Sequence, residues 1–416
     1  MTEGRPRALG AASLLALGVN GIVGVGIFFT PNKIAQLAPG WSSVAVVAIT
    51  GIALVPVAVA VATVGARFHE DGGPVLYARA AFGDLSGFVV GWLAYVAALF
   101  SMGSVMTGFM SAVLPVSPFR VHLAAIGLVT VLSLVAATGI KISAGVWNTL
   151  TVLKLLPLIG LAVLASVLMP HEHAVVATDW HAVHWGRAAL TAVFVFQGFE
   201  IVPVLAGQAR DPNRTIPIAV LCSLAISMVL YLLLQRGAVA GVTDLAGTQA
   251  PLVSMGESYG GRGLGRIVSL GTSISAMGIC FGMVATTPRF LSALVPHTRF
   301  GRVSDSGVPL PALVATWVLV VLLISLGSLG ELLVLSSLSV VMQYLLVALA
   351  LAKFGLKGER GLRPKDAWSA LPTVIIALVL VSGAERGEWA VAAGSIVLSA
   401  IIYFALRSRL SARPTK

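Results

Sequence analysis

The amino-acid sequence predicts an all-α integral membrane protein. About twelve transmembrane helices are expected, ordered as a five-plus-five inverted repeat with discontinuous helices 1 and 6, plus two C-terminal helices. Three observations carry this expectation. Of 416 residues, 57% are hydrophobic and 10% charged, whereas a soluble domain carries about 25% charged residues. Apolar runs of membrane-crossing length follow one another, separated by short polar gaps. Glycine-rich interruptions fall inside the first and the sixth of those runs. Disorder does not explain the low charge, because disordered chains are poor in apolar residues.

A helix needs roughly 20 apolar residues to cross about 30 Å of hydrocarbon. Runs that meet this lie near 9–38, 41–66, 85–114, 121–139, 146–169, 187–209, 215–241, 262–294, 309–328, 330–354, 369–384 and 388–407. The first follows a short basic lead, Arg5 and Arg7, and so looks like a signal peptide. It runs past signal-peptide length without a clear cleavage pattern and is expected to stay as the first span. The ninth and tenth runs are divided at Gly327, Gly330 and Glu331, since one helix across both would be far too long. The expected units are therefore 1–170 for the first repeat, 186–355 for the second and 364–407 for the last two helices, all within one transmembrane domain, 1–416.

Lys and Arg number 27 against 16 Asp and Glu. Twelve spans place both termini on one side. If that side is cytoplasmic, the inner segments hold Arg5, Arg7, Arg67, Arg79, Lys141, Arg210, Arg214, Arg289, Arg299, Arg302, Lys353, Lys357, Arg360, Arg363, Lys365, Arg407, Arg409, Arg413 and Lys416. The outer segments hold Lys33, Arg120, Arg187, Arg236, Arg262, Arg266 and Arg386, and Lys154 alone falls within a span. The positive-inside rule then predicts cytoplasmic termini in a plasma (inner) membrane. This also accounts for the basic excess, and no arginine stripe interleaved with aromatics suggests nucleic acid. Cys222 and Cys280 both lie in apolar runs and read as small buried residues, with no disulfide framework or metal motif.

The first run contains Gly21-Ile22-Val23-Gly24-Val25-Gly26-Ile27-Phe28. Each interior glycine costs a helix roughly 1 kcal/mol relative to alanine. Close helix packing is the competing explanation, since small residues let backbones approach in membranes. The sixth run contains Phe196-Gln197-Gly198-Phe199-Glu200 and then Pro203, which sets a glycine beside the only carboxylate deep in a span. Paired interruptions at matching places in two halves point to a transporter's binding site. Unwinding at mid-membrane frees N–H and C=O groups that lipid cannot satisfy, so they must line a cavity. Freed N–H groups suit a carboxylate and freed carbonyls suit an ammonium group, and an α-amino acid presents both. Five helices per half is an odd number, so the halves run oppositely through the membrane.

These residues resemble the amino acid–polyamine–organocation transporter superfamily along nearly the whole chain. The matching segments are Val23 to Phe28, Gly72-Gly73 through Tyr77, Phe82-Gly83 to Gly91-Trp92, and Gly139-Ile140-Lys141 with Asn148 to Thr151. Others are Lys154-Leu155-Leu156-Pro157, Phe196 to Glu200, Asp211 to Pro217, Pro288-Arg289, and Leu335-Ser336-Ser337 to Tyr344. Two departures stand out: His69 where many members have proline, and Gln208 where many have glutamate. The second weakens any carry-over about proton handling. The resemblance implies a LeuT-like fold. It implies a substrate carboxylate on the amides of Gly24, Val25 and Gly26, and an ammonium on carbonyls of Ile22, Phe194 and Gln197. Val23, Gly198 and Glu200 complete the expected site, and the Phe194 ring is expected to cover the substrate.

Lys154 lies about eight residues into its span, roughly 12 Å deep at 1.5 Å per residue. A lysine charge at mid-bilayer costs about 2.5–3.5 kcal/mol, and neutralising it at pH 7 costs a comparable amount, about 4 kcal/mol. Snorkelling to the headgroups is the plain alternative. The resemblance places it where sodium-driven relatives hold an ion, with Ser275 as partner, and so implies a coupling role. Glu200 is expected to tie freed backbone N–H groups, with proton sensing or direct ammonium contact as the other readings. His171, His173, His181 and His184 share one loop, but their spacing matches no standard metal site, so a solvated loop is expected.

An enzyme would need a cluster of His, Cys, Asp or Glu at membrane depth, and only Glu200 and Lys154 lie there. An ion channel, the remote alternative, would want rings of carbonyls or charges, and no pore-loop signature is present. The sequence therefore predicts a secondary transporter working by alternating access, proton-coupled or by exchange, with an amino acid or amine as substrate and no cofactor. Neutral L-amino acids are favoured because no second interior carboxylate is found. A polyamine or cationic amino acid transporter or exporter is the alternative, since aromatic faces also hold cations.

Overall fold

The computed structural model describes residues 9–24, 26–114, 117–139, 144–168 and 178–410, and only the backbone of 144–154 and 407–410. The predicted Val25 and the histidines His171 and His173 therefore lie outside the described residues, as does the side chain of Lys154. The first span is two helices, α1 (Ala11–Ile22) and α2 (Thr30–Leu37), separated by a short 3₁₀ turn, Gly26–Phe28. There follow α3 (Trp41–Gly65), the short α4 (Pro74–Phe82), α5 (Asp84–Val113), α6 (Pro118–Ala137) and α7 (Ala144–Val167). The sixth span is also divided, into α8 (Trp185–Phe196) and a 3₁₀ segment, Phe199–Gln208. Then come α9 (Pro212–Gly241), α10 (Pro251–Leu294), α11 (Leu310–Leu326) and α12 (Leu329–Lys357). The chain ends with α13 (Pro364–Trp368), α14 (Ala370–Val381) and α15 (Arg386–Leu410).

Among the described residues, nine helices are long and apolar enough to cross a membrane, and three shorter apolar ones occupy the predicted first, fifth and ninth spans. Local chemistry sets their ends. Proline opens α4, α6, α9, α10 and α13, where its missing N–H costs nothing. The Gly327–Glu331 break between runs nine and ten is a capping box: Ser328 Oγ accepts from Glu331 N, and Glu331 returns to Ser328 N. Gly261, at φ +68°, bends α10 so that 251–260 forms a separate arm ahead of the span. Neither this arm nor α4 was expected from the apolar runs, because neither is long enough to cross lipid.

The helices pair in a regular way. α3 packs on α9, α5 on both α12 and α10, α7 on α10, and α11 on α5, α6 and α10. α14 lies against α12 and α3, and α15 against α5. Leu123, Leu134, Ile159, Val163, Ile375 and Ile401 stay exposed, as side chains facing acyl chains would. One end of the bundle holds Leu9, the α3–α4 connection and the end of the 3₁₀ segment; it is called the Leu9 face. The other holds Leu37, His184 and the start of α15, and is called the Arg187 face.

Candidate substrate site

Both predicted breaks exist, and they meet. α1 stops at Ile22, and Val23 leaves the helix at φ −74°, ψ 75°. Gly24 N–H turns back to the Ile22 carbonyl at 2.7 Å, closing a tight turn. In the sixth span Gly198 takes φ +128°, a conformation that glycine alone adopts without strain. A Cβ on Gly198 would collide with the Gly21 carbonyl group, and one on Gly21 would sit 3.0 Å from the Gly198 oxygen. The two backbones thus cross with no side chain between them.

Each break keeps part of its peptide chemistry available. Gly198 N–H would complete the helical turn to the Phe194 carbonyl, but it donates instead to Glu200 Oε2 at 2.9 Å. The Phe194 carbonyl, one of the expected ammonium acceptors, therefore lacks its usual helical donor. The Ile22 carbonyl differs: besides Gly24 N–H it accepts the Tyr231 hydroxyl at 2.8 Å. A carbonyl has two lone pairs, so an ammonium group reaching Ile22 must displace one of these donors. Gly26 accepts from Phe29 N and from Thr30 Oγ1, which winds the chain into α2.

Aromatic and polar side chains wall this crossing. Phe194 is buried and lies over Gly26, where an added Cβ would come 2.9 Å from its ring. Phe29 lies beside it, with ring centroids 6.4 Å apart. The Gln197 amide points at α12, donating to Ser337 Oγ at 3.2 Å and accepting from Ser336 Oγ at 3.3 Å. Glu200 Oε2 also accepts the Tyr344 hydroxyl at 3.1 Å, and Tyr344 stacks on Phe199. Glu200 is in this way tied to the break by two donors.

The expected coupling pair, Lys154 and Ser275, is placed only in part. Ser275 is buried in α10, and its hydroxyl has no hydrogen-bond partner among the described residues. Pro157 of α7 touches α10 at Gly271, where a Cβ would meet its ring at 2.8 Å. The fifth and eighth spans run antiparallel, so Lys154 and Ser275 lie about one turn further toward the Leu9 face on their two backbones.

Loops close both faces around the crossing. On the Arg187 face, Asn32 and Gln36 of α2 donate to the carbonyls of Thr248 and Ala246 at 2.7 and 2.8 Å, and His184 N–H donates to Leu37 O. On the Leu9 face, Asp71 accepts from Gly207 N–H and Gln208 Nε2, both at 3.0 Å, and Gly72 N–H donates to Val204 O. Leu9 pairs with Gln208 and Arg210 through its backbone. The departure at Gln208 has a local reason, because a carboxylate there would face that of Asp71. Tyr231 and Asp71 were not singled out from the sequence. Nothing local marks them, as their partners lie 209 and more than 130 residues away.

A family model described as amino acid permease matches residues 9–406. An uncharacterized transporter of Mycobacterium tuberculosis is 29% identical over 320 residues, covering 71% of this chain and 69% of the relative. Another from the same species is 27% identical over 347 residues, covering 74% and 71%. Cationic amino acid transporter 4 of Homo sapiens is 23% identical over 379 residues, covering 82% of this chain and 59% of the human protein.

Proposed function

This chain belongs to the amino acid permease family and is a transport protein, and we propose that it carries neutral L-amino acids by alternating access. The observation that carries the reading is the crossing of two broken spans at Gly21 and Gly198, beside which the Phe194 carbonyl lacks its helical donor and the Phe194 and Phe29 rings pack. The amides of Val25 and Gly26 take the substrate carboxylate, joined by that of Gly24 once it releases the Ile22 carbonyl. The Phe194 and Gln197 carbonyls take the ammonium, joined by Ile22 once Tyr231 yields, and the Phe194 ring covers the bound zwitterion. The neutral preference is supported by Glu200, whose Oε2 is already bound by Gly198 N–H and the Tyr344 hydroxyl. A cationic side chain would need a carboxylate not committed in this way. The similarity to a human protein named for cationic amino acids favours the second reading, a cationic substrate.

The inverted repeat is supported by how the helices pair. Advancing five spans turns the α5–α12 pair into the α10–α7 pair, and both are in contact. Each half also places a short proline-initiated helix and a left-handed glycine before its third span: Pro74–Phe82 with Gly83 at φ +93°, and Pro251–Gly260 with Gly261 at φ +68°. The Leu9 face is the cytoplasmic one on the positive-inside rule. Lys154 and Ser275 couple transport to protons or hold the first span in place. Lys154→Ala should then slow uptake and flatten its pH dependence, and an unchanged rate and profile would end that reading.

The deciding experiment screens purified protein by thermal shift against neutral and cationic amino acids and polyamines, because a ligand that binds the folded state raises its melting temperature. Uptake into liposomes, with and without a pH gradient, follows for each hit. Stabilisation and uptake by neutral amino acids are expected. A response confined to arginine, lysine or polyamines would replace the neutral reading with the cationic one.

A further inference from the structure

Arg187 stands in the first turn of α8, and its partners lie about 200 residues further on, at the start of α15. Its Nη1 is 2.8 Å from Glu385 Oε1 and its Nη2 is 3.1 Å from Glu388 Oε1, and Nη1 also donates to Glu388 Oε2 at 3.2 Å. The Arg187 side chain is 23% exposed and that of Glu388 only 7%. Exposed ion pairs contribute little, but a carboxylate this buried is costly without its partner. Glu388 is fixed on its own side as well, since Oε2 accepts Glu385 N–H across the first turn of α15. Next to the ion cluster Gly186 and Gly383 approach so closely that a Cβ on either would strike the other's backbone.

These contacts join elements of unlike kind. α14 and α15 lie outside the ten spans that contain the two breaks, and α15 is largely exposed along its length. α8 ends at the crossing, carrying Phe194 in its last turn with Gln197 just beyond its end. It is a 12-residue helix, about 18 Å long at 1.5 Å per residue, so a shift at Arg187 is passed to the site as by a rod. Among the described residues, no ion pair joins the 199–208 half of the span to the α14–α15 hairpin, and the bonds at its end include those to Asp71, an exposed residue.

We propose that Arg187 is a positioning residue. Bound to Glu385 and Glu388, it mounts α8 on the α14–α15 hairpin, and the two stay together through the transport cycle while the 199–208 segment moves. This rests on the reading of the break as the amino acid site.

The test compares the full chain with Arg187→Met and with Arg187→Met/Glu388→Met, by liposome uptake, melting temperature and backbone amide exchange of α8. The single variant is expected to lose at least tenfold in maximal uptake and to melt earlier, because Glu388 is left unpaired. The double variant removes that charge. It should melt like the parent yet stay at least fivefold slow, with faster exchange across α8. Recovery of both melting and uptake in the double variant would make the cluster a stability element only and overturn the proposal. A short bis-maleimide tether between Arg187→Cys and Glu385→Cys, in a Cys222→Ser/Cys280→Ala background, should restore uptake that the untethered cysteine pair has lost; no recovery, or arrest, on tethering would mean that α8 must leave the hairpin. If the parent carries no amino acid, the substrate reading fails separately, and the mount is still judged by exchange. Unchanged α8 exchange in Arg187→Met sinks the mount whatever the substrate.

Discussion

Residues Trp185–Phe196 and Phe199–Gln208 are consecutive stretches of one membrane span, yet they are built and held differently. The first is a regular α-helix with every side chain from Ala188 to Phe196 buried except that of Ala189, and it is fastened by a half-buried ion cluster and a glycine contact. The second is a 3₁₀ helix with a proline inside and a kink at Leu205. Its hydrogen-bond geometry is inherently poorer, and its end is held by Asp71, an exposed carboxylate, and by backbone contacts to Leu9 and Gly72. Rigidity on one side of Gly198 and compliance on the other are what a hinge at the proposed substrate site requires. The comparison also suggests which half travels.

The largest effect that would break this comparison is expected at the hinge. Gly198→Ala forces a Cβ into the Gly21 carbonyl and strains a backbone at φ +128°, at a cost of about 3 kcal/mol. Uptake should be abolished and melting sharply lowered. A variant that melts and transports normally would show that the crossing is not tight. Next is the compliant half: Asp71→Ala removes two charge-assisted hydrogen bonds, together about 1–3 kcal/mol. Faster amide exchange across 199–210 with α8 unchanged would sharpen the contrast, and equal acceleration in both halves would erase it. The smallest effect is expected at Glu200→Gln. The amide oxygen can still accept from Gly198 N–H and Tyr344, so binding and melting should stay within about twofold and about 1 kcal/mol of the parent. A flattened pH profile of uptake in this variant would instead assign Glu200 to proton sensing.

Much of this was legible in the sequence, for definite reasons. Membrane spans announce themselves by length and apolarity, and the twelve runs correspond to the helices closely. The breaks were visible because glycine is costly inside a helix, so Gly24, Gly26 and Gly198 stood out. Glu200 stood out as an isolated carboxylate. The elements missed are those without such a penalty to reveal them. α4 and the 251–260 arm are too short to read as spans. Tyr231, Asp71 and Arg187 are ordinary residues until the fold brings a carbonyl, a 3₁₀ end or two carboxylates to them. The notion that a tie satisfies Glu200 was readable, whereas its second donor, Tyr344, was visible only as part of a motif.

The absence of side chains where the two breaks cross has a mechanical consequence. With Gly21 and Gly198 in direct touch, neither broken helix can slide or rotate without pushing the other, so the groups proposed to greet a carboxylate and those proposed to greet an ammonium are geared together. A ligand carrying only one of the two charges engages half of that gear. It would therefore occupy the site without turning it, and simple amines or carboxylic acids should behave as blockers rather than cargo.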